Sequence, residues 1–347
     1  MAATGIWPRR AATILIALVG VFVFQALDLP LPWLLGPLLA CLLAAFAQVP
    51  LTGLGAAAPP LRTILGVAVG ATITPALFMR LDEMSITLAM VAGLTAMIGL
   101  VGVPWFHRVC GFDRVTAYYG TMPGGLQDML IFGQEAGGDV RAMSLMHATR
   151  VATIVIAAPI VMELWFDLSL TGPAGAPARE TPLHEMAIMA VCAIVGWKLA
   201  ERTGLFGASI LGPLILTAAA SLGDLIHQRP PAEAIALAQF AVGVAVGSRY
   251  VGLTFAEFRR IVLASIVYSL AILGLGGAFA WAAVSAGLAE PAAALLAFAP
   301  GGQAEIAVLA IVAGVDAGFV VAHHVFRMAL VIMGAPVAMG LMRKWEK

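Results

Sequence analysis

The chain has 347 residues and a formal net charge of zero, with 61% hydrophobic and 11% charged residues. Soluble domains average roughly 45–50% apolar and about 25% charged residues, so the composition excludes an ordinary soluble protein. The apolar surplus extends along the whole chain, which predicts an all-α polytopic membrane protein. Lys and Arg form no cluster that would bind nucleic acid, and three separated cysteines predict neither disulfides nor a thiolate metal site.

Apolar runs of about 20 residues predict about ten transmembrane helices. The first run resembles a signal peptide, but it continues without a clear cleavage site into the second run, which favours an uncleaved first span. In chain order, the predicted spans are 11–28, 31–48, 61–79, 85–106, 142–167, 183–200, 205–222, 232–250, 261–287 and 317–341.

One motif occurs twice, between the fourth and fifth predicted spans of each half. Pro123-Gly124-Gly125 returns 177 residues later as Pro300-Gly301-Gly302. The same offset carries further residues onto equivalents: Asp128 onto Glu305, Asp139 onto Asp316, His147 onto His324, Arg150 onto Arg327 and Pro159 onto Pro336. Polar matches at one offset in a largely apolar chain indicate an internal duplication. We therefore predict a first membrane repeat at 1–172, a Pro/Gly/Ala-rich linker at 173–182 and a second repeat at 183–347.

The distribution of basic residues favours a re-entrant Pro-Gly-Gly segment over one that crosses the membrane. With ten spans and re-entrant segments, fourteen basic residues lie on the cytoplasmic side and three outside; with crossing segments the counts are ten and seven. Five spans per half is an odd number, so the second half enters from the opposite side. The sequence thus predicts two inverted repeats with cytoplasmic termini, an architecture typical of secondary transporters with a site near the bilayer midplane.

The Pro-Gly-Gly segments and the residues that follow them are the predicted substrate or ion site. Proline and two glycines break a helix, and the N-terminus of the next short helix favours an anion. Asp128 and Glu305 lie in the first turns of these helices, where they either stabilise the dipole or bind a proton or sodium ion. Gln127 and Gln303 add polar groups at adjacent rather than matched positions.

A histidine and an arginine lie three residues apart in the span after each segment, which places each pair on one helix face. Two interpretations of Arg150 and Arg327 remain open: internal ion pairs with Asp128 and Glu305, or binding of an anionic substrate. The adjacent histidines His323 and His324 suggest a metal site. The sequence has no third ligand at usable spacing, which argues against it. Asp139 and Asp316 are predicted N-caps.

Three stretches resemble a known family, the membrane AbrB family: Pro32–Pro37, Met122–Met129 and Ala299–Glu305. The resemblance covers essentially the whole chain. It implies a bacterial membrane protein of the kind labelled an ammonia monooxygenase or a regulator of gene expression, within the clan of cation–proton antiporters and anion transporters. The family supplies no settled substrate, so none is implied here.

Of the function classes considered, a secondary transporter of a small, anionic organic solute, coupled to protons or sodium, fits the sequence best. The six histidines do not assemble a copper or iron site, so no catalytic residue, cofactor or metal is predicted. A sensor that affects gene expression indirectly is the alternative. The predicted partners are the solute, H⁺ or Na⁺, the lipid bilayer and a second copy in a homodimer, and the predicted location is the bacterial cytoplasmic membrane.

Overall fold

The computed structural model describes residues 5–73, 84–168, 170–205 and 207–344, and all regular secondary structure in these ranges is helical. The prediction of an all-α chain is therefore confirmed. The helices of the first half are α1 (Ile6–Ala26), α2 (Pro32–Phe46), α3 (Ala58–Gly70), α4 (Ser85–Pro104), α5 (Arg114–Thr121), α6 (Leu126–Glu135) and α7 (Val140–Phe166). Those of the second half are α8 (Leu183–Arg202), α9 (Ala208–Leu222), α10 (Ala232–Gly247), α11 (Leu263–Ser285), α12 (Pro291–Phe298), α13 (Gln303–Val312) and α14 (Ala317–Lys344).

The helix boundaries follow the offset seen in the sequence. Adding 177 to the bounds of α5 gives 291–298, which are those of α12, and adding 177 to the bounds of α6 gives 303–312, which are those of α13. Helix α7 shifted in the same way begins at 317, where α14 begins. Each half therefore has the same order of two short helices and one long helix around its Pro-Gly-Gly turn. The opposite membrane orientation of the halves stays a prediction.

Six helical segments are long and apolar enough to cross a membrane: Ile6–Ala26, Ser85–Val109, Val140–Phe166, Leu183–Arg202, Phe255–Ser285 and Ala317–Gly340. At the other four predicted spans the described α-helices are shorter. Helices α2, α3, α9 and α10 have 15, 13, 15 and 16 residues. At about 1.5 Å per residue, each is shorter than the roughly 30 Å hydrocarbon core.

For α2 and α9 the reason lies in the flanking backbone. Leu31 and Gln48, on either side of α2, have φ angles of 48° and 60°, and Gly207 and Asp224 flank α9 with φ angles of 57° and 60°. Left-handed residues end a helix even where the sequence remains apolar. Residues 74–79 of the predicted third span lie outside the described residues.

By its contacts the chain divides into two compact units. Unit 1 comprises Met1–Arg80, Ala158–Leu253 and Ala304–Gly318, and unit 2 comprises Leu81–Ala157, Thr254–Gln303 and Phe319–Lys347. Each unit combines segments from both sequence halves, so this division differs from that into repeats. The predicted repeat boundaries stay a prediction.

Helices of unit 1 pack backbone against backbone through glycines. A Cβ atom added to Gly70 of α3 would lie 2.6 Å from the carbonyl oxygen of Leu214 in α9. One added to Gly247 of α10 would lie 2.5 Å from the carbonyl oxygen of Leu38 in α2. Helix α3 of the first half thus packs on α9 of the second, and α10 of the second packs on α2 of the first. Small residues permit such close approach between membrane helices.

Unit 2 contains both Pro-Gly-Gly turns and both histidine–arginine pairs. Helix α5 packs against α4, and α12 packs against α11. The core around the first turn is built from aromatic and methionine side chains with aliphatic residues of α14: Tyr118, Tyr119, Met122, Met129, Met143, Val331, Ala335 and Met339. Since these side chains are 0–8% exposed, the first turn is anchored in a packed interior.

Candidate functional site

The first Pro-Gly-Gly turn lies between two antiparallel short helices. Helix α5 ends at Thr121 and α6 begins at Leu126. The rings of Tyr119 in α5 and Phe132 in α6 lie 6.4 Å apart, and the backbone N–H of Asp139, beyond α6, donates to Thr116 Oγ1 near the start of α5 at 2.8 Å. The chain therefore folds back on itself at this turn, and re-entry into the membrane from one side stays a prediction.

Both glycines of this turn lie against neighbouring side chains. A Cβ atom on Gly124 would lie 2.8 Å from Val331 Cγ1 in α14, and one on Gly125 would lie 3.7 Å from Met328 Cε. Pro123 is buried, while both glycines are partly buried. Any larger residue at position 124 would therefore displace the turn from α14.

His147 and Arg150 of α7 bind the open end of α5. The last carbonyl groups of a helix lack partners within the helix. His147 Nε2 hydrogen-bonds to the carbonyl oxygen of Tyr119 at 2.9 Å, and Arg150 Nη1 donates to the carbonyls of Thr121 at 3.3 Å and Met122 at 3.1 Å. The positive guanidinium also stabilises the negative end of the helix dipole.

His324 and Arg327 of α14 bind the end of α12 by the same scheme. His324 Nε2 hydrogen-bonds to the carbonyl oxygen of Leu296 at 2.9 Å. Arg327 donates from Nη1 to the carbonyl of Ala299 at 2.8 Å and from Nη2 to that of Gly301 at 2.9 Å. Each pair therefore caps the helix that precedes its own Pro-Gly-Gly turn.

In the described part of unit 2, the two buried arginines have backbone carbonyls rather than carboxylates as partners. Arg150 is 4% and Arg327 is 3% exposed, and their charges lie within electrostatic range of each other. Among the residues described, neither guanidinium forms an ion pair with a carboxylate, and neither buried Nε atom has a hydrogen-bond partner. The described residues contain no ion pair between Arg150 and Asp128, the predicted alternative, and backbone carbonyls accept from Arg150 Nη1 instead.

The two predicted acids lie in the first turns of α6 and α13. The Asp128 carboxylate folds back towards Gly125, the N-cap of α6, which has no side-chain cap. Glu305 belongs to unit 1, where its carboxylate lies within electrostatic range of Arg62 and Arg249. Both acids are partly buried. The surroundings of these two matched positions nevertheless differ.

The two glutamines do not play matched roles. Gln127 is exposed, whereas Gln303, the first residue of α13, is 8% exposed. The buried Gln303 Nε2 has no hydrogen-bond partner within the described chain. Gln303 thus adds an unused donor to unit 2 beside Gly301 and Gly302, of which Gly301 is buried and Gly302 partly buried.

His323 is held by contacts within unit 2. Its Nδ1 lies 2.8 Å from the carbonyl oxygen of Phe319, and its Nε2 lies 2.8 Å from Thr87 Oγ1. No group of three His, Cys, Asp or Glu residues in the described ranges is arranged to hold a metal ion. As predicted for Asp139, its carboxylate caps α7 by accepting from the backbone N–H of Ala142 at 3.0 Å.

Tyr268 is a site residue that sequence reasoning missed. Its buried hydroxyl lies 3.3 Å from the carbonyl oxygens of Ile98 and Thr121. Tyr268 and Arg150 therefore share the Thr121 carbonyl. A lone tyrosine in the apolar run of α11 was the only available signal.

Comparison with known proteins identifies the family. Residues 33–343 match the family model described as "Transition state regulatory protein AbrB". A Bacillus subtilis (strain 168) protein, "Uncharacterized protein YhjN", is 26% identical over 348 residues, covering 93% of this chain and 90% of that protein. An Escherichia coli (strain K12) protein named "Putative regulator AbrB" is 24% identical over 329 residues, covering 90% of each chain. The chain belongs to the AbrB family of membrane proteins.

Proposed function

We propose that this protein is a secondary transporter for a small anionic organic solute, coupled to protons or sodium. The observation that carries the proposal is the pair of buried arginines of unit 2, Arg150 and Arg327, which lack an acidic partner in the described chain. A buried charge without a counterion is costly, and a bound anion offsets that cost. The unused donors on both Nε atoms and on Gln303 Nε2 suit carboxylate or sulfonate oxygens.

The broken helices support transport in particular. Each Pro-Gly-Gly turn interrupts a pair of short helices, and secondary transporters form midplane sites from discontinuous helices in paired repeats. Large apolar side chains such as Leu100, Leu164 and Trp281 are 73–76% exposed, as expected for lipid contact. We place the solute between the two turns near the bilayer midplane, in the bacterial cytoplasmic membrane with both termini inside. A homodimer is part of the same proposal.

Binding to purified protein in detergent tests the solute class. The probes are acetate, succinate and taurine, each against choline chloride, with thermal unfolding as the measurement. We expect one of them to raise the melting temperature, and Arg150→Gln and Arg327→Gln to remove that increase. The matched control is Arg141→Gln, because Arg141 lies on the same helix as Arg150 but forms an exposed ion pair with Glu257 at 3.0 Å. An increase that persists in both site variants would refute the anion site.

Flux in proteoliposomes tests coupling. Uptake of the anion that binds is measured with an inward proton gradient, an inward sodium gradient and neither. We expect one gradient to drive accumulation and Arg327→Gln to abolish it. Equal uptake under all three conditions would contradict coupled transport. The regulatory role in the name of the Escherichia coli relative favours a second candidate, a sensor, for which binding without flux is the expected result.

A further inference from the structure

An apolar groove of 290 Å³ lies between the end of α4 and the start of α11 in unit 2. Val101, Val109 and Val267 line it, and their side chains are 45–68% exposed. Tyr268, which is 3% exposed, lies at its base, and the exposed Arg108 also lines it. Sites for drug-sized ligands have roughly 300–1,000 Å³, so this open groove between two membrane helices suits an acyl chain better than a soluble ligand.

Two π-helical turns adjoin the groove. Trp105–Val109 continues α4, and Phe258–Val262 precedes α11. Together these turns contain four basic residues: His107, Arg108, Arg259 and Arg260. Trp105 Nε1 donates to the carbonyl oxygen of Ala264 at 3.1 Å, so the first turn is hydrogen-bonded to the start of α11. The basic residues of both turns therefore lie towards the same end of the groove.

Arg260 ties the second turn to the loop that follows the first. Its Nη2 donates to the carbonyl oxygen of Gly111 at 3.0 Å, and its Nε donates to that of Cys110 at 3.4 Å. Its Cζ atom lies 4.4 Å from the centroid of the Phe112 ring. These contacts hold the guanidinium in place at this end of the groove, with backbone carbonyls and an aromatic face as its partners.

The acids closest to these turns along the chain have other partners. Asp113 is the N-cap of α5 and accepts a backbone N–H at 2.9 Å, and Glu257 pairs with Arg141 at 3.0 Å. In the described ranges, no ion pair joins a carboxylate to the arginines of the two turns, which are Arg108, Arg259 and Arg260. The distribution of basic residues along the chain predicts these arginines on the cytoplasmic side.

We propose that the groove binds an anionic phospholipid of the bilayer, with an acyl chain in the groove and the headgroup phosphate at Arg108 and Arg260. Guanidinium groups form strong hydrogen bonds with phosphate oxygens, and basic residues between membrane helices at the cytoplasmic surface bind anionic headgroups. Trp105, partly buried at the same end, is of a residue type enriched at headgroup level. This site does not depend on the proposed transport function.

Tyr268 connects the groove to the first Pro-Gly-Gly turn. Its ring lies at the base of the groove, and its hydroxyl lies 3.3 Å from the carbonyl oxygen of Thr121, to which Arg150 also donates. An acyl chain packed on this ring restricts its movement and holds the hydroxyl at the turn. Bound lipid should therefore raise the thermal stability of the protein.

Thermal unfolding of the full chain in detergent tests the headgroup contact. The probes are dioleoyl phosphatidylglycerol, dioleoyl phosphatidylcholine and glycerol 3-phosphate at equal concentrations. We expect phosphatidylglycerol to raise the melting temperature by roughly 2–4 °C more than phosphatidylcholine, and glycerol 3-phosphate to leave it unchanged.

Arg108→Gln should remove the difference between the two lipids. In detergent alone this variant should melt like the wild type, because the Arg108 side chain forms no ion pair in the described chain. The matched control is Arg202→Gln, which removes an exposed arginine from the last turn of α8 in unit 1 and should keep the difference.

Val267→Trp tests the apolar part of the site by filling the groove from a side chain that is 54% exposed. Its control is Leu270→Trp, because Leu270 lies on the same helix, is 52% exposed and is not among the residues that line the groove. We expect the stabilisation by phosphatidylglycerol to fall in Val267→Trp and to persist in Leu270→Trp.

Equal effects of the two lipids on the wild type would overturn the proposal, and so would a preference for phosphatidylglycerol that persists in Arg108→Gln. Loss of the preference in Arg202→Gln as well would indicate a diffuse effect of net charge and would also overturn it. Stabilisation by glycerol 3-phosphate equal to that by phosphatidylglycerol would indicate a phosphate site without an acyl chain. Full stabilisation of Val267→Trp would place the lipid outside the groove, and either of these results contradicts the proposal.

Discussion

A histidine and an arginine cap the helix before each Pro-Gly-Gly turn, but the two arginines bind different carbonyl groups around their turns. Arg150 uses a single nitrogen, Nη1, for the carbonyls of Thr121 and Met122, both of which precede the proline. Arg327 uses Nη1 for Ala299 and Nη2 for Gly301, which lie on either side of the second proline. The first turn is therefore held on one side and the second across its break. The arginine is the same in both repeats. Because Arg327 binds carbonyl groups on both sides of its proline, it holds the second turn more firmly than Arg150 holds the first.

Removal of each arginine is expected to have the largest effect on the free energy of unfolding. Arg327→Met should lower the free energy of unfolding by about 2–4 kcal/mol, since hydrogen bonds from a charged donor contribute about 1.5–3 kcal/mol each and loss of a buried charge offsets part of this. Arg150→Met should cost less, about 1–3 kcal/mol, because its bonds are longer and lie on one side. Chemical denaturation in detergent measures both. Equal losses would remove the distinction between the turns.

The glycines that support the turns offer a second test. The 177-residue offset relates Gly99 of α4 to Gly276 of α11. A Cβ on Gly276 would lie 2.6 Å from the Phe298 carbonyl oxygen, which is backbone, whereas one on Gly99 would lie 2.7 Å from the flexible Met122 Cε. Gly276→Ala should therefore cost about 1–3 kcal/mol, and Gly99→Ala clearly less.

Thermal unfolding of the two alanine variants checks this prediction. Gly274→Ala is the matched control, because nothing lies within 4 Å of a Cβ atom at that position of the same helix. A loss at Gly99 as large as that at Gly276 would contradict the backbone contact as the cause.

Lysine substitution tests whether hydrogen bonding through two guanidinium nitrogens stabilises a turn more than hydrogen bonding through one. A lysine at position 150 has one ammonium group, which suits the two adjacent carbonyls that Arg150 reaches from Nη1 alone. A lysine at position 327 cannot reproduce the two separate nitrogens that bind Ala299 and Gly301. We expect Arg327→Lys to cost about 1–1.5 kcal/mol more than Arg150→Lys in the free energy of unfolding. A smaller loss at position 327 would show that the span across the turn adds no stability.

Much of this arrangement could be predicted from residue spacing. The three-residue separation of His147 and Arg150 placed them on one face, and the duplication placed His324 and Arg327 in the same relation. The partners of the arginines could not be predicted, because a guanidinium binds carboxylates and backbone carbonyls alike and only the ends of α5 and α12 reveal the free carbonyls.

The exact ends of the helices could not be predicted from the sequence either. The predicted span 31–48 includes Leu31 and Gln48, whose φ angles of 48° and 60° place them outside α2. The longer-range charges that act on Glu305 could not be predicted for another reason: Arg62 and Arg249 lie far from it along the chain and have no charged equivalents in the other repeat.

The smallest expected effect concerns Tyr118, whose equivalent at position 295 is leucine. Tyr118 Oη donates to the carbonyl oxygen of Ala335 at 2.9 Å, and its ring packs edge-on to Tyr119 with centroids 5.1 Å apart. Tyr118→Phe keeps the ring and loses the hydrogen bond, so it should lower the free energy of unfolding by about 0.5–1.5 kcal/mol. Tyr118→Leu, which installs the residue of the second repeat, should cost more, because the aromatic contact is lost as well. If the phenylalanine variant matches the leucine variant, the hydroxyl carries the attachment of α5 to α14 and the ring contributes little. If it matches the wild type, the first turn depends on packing alone, and its weaker attachment through Arg150 is not compensated by Tyr118.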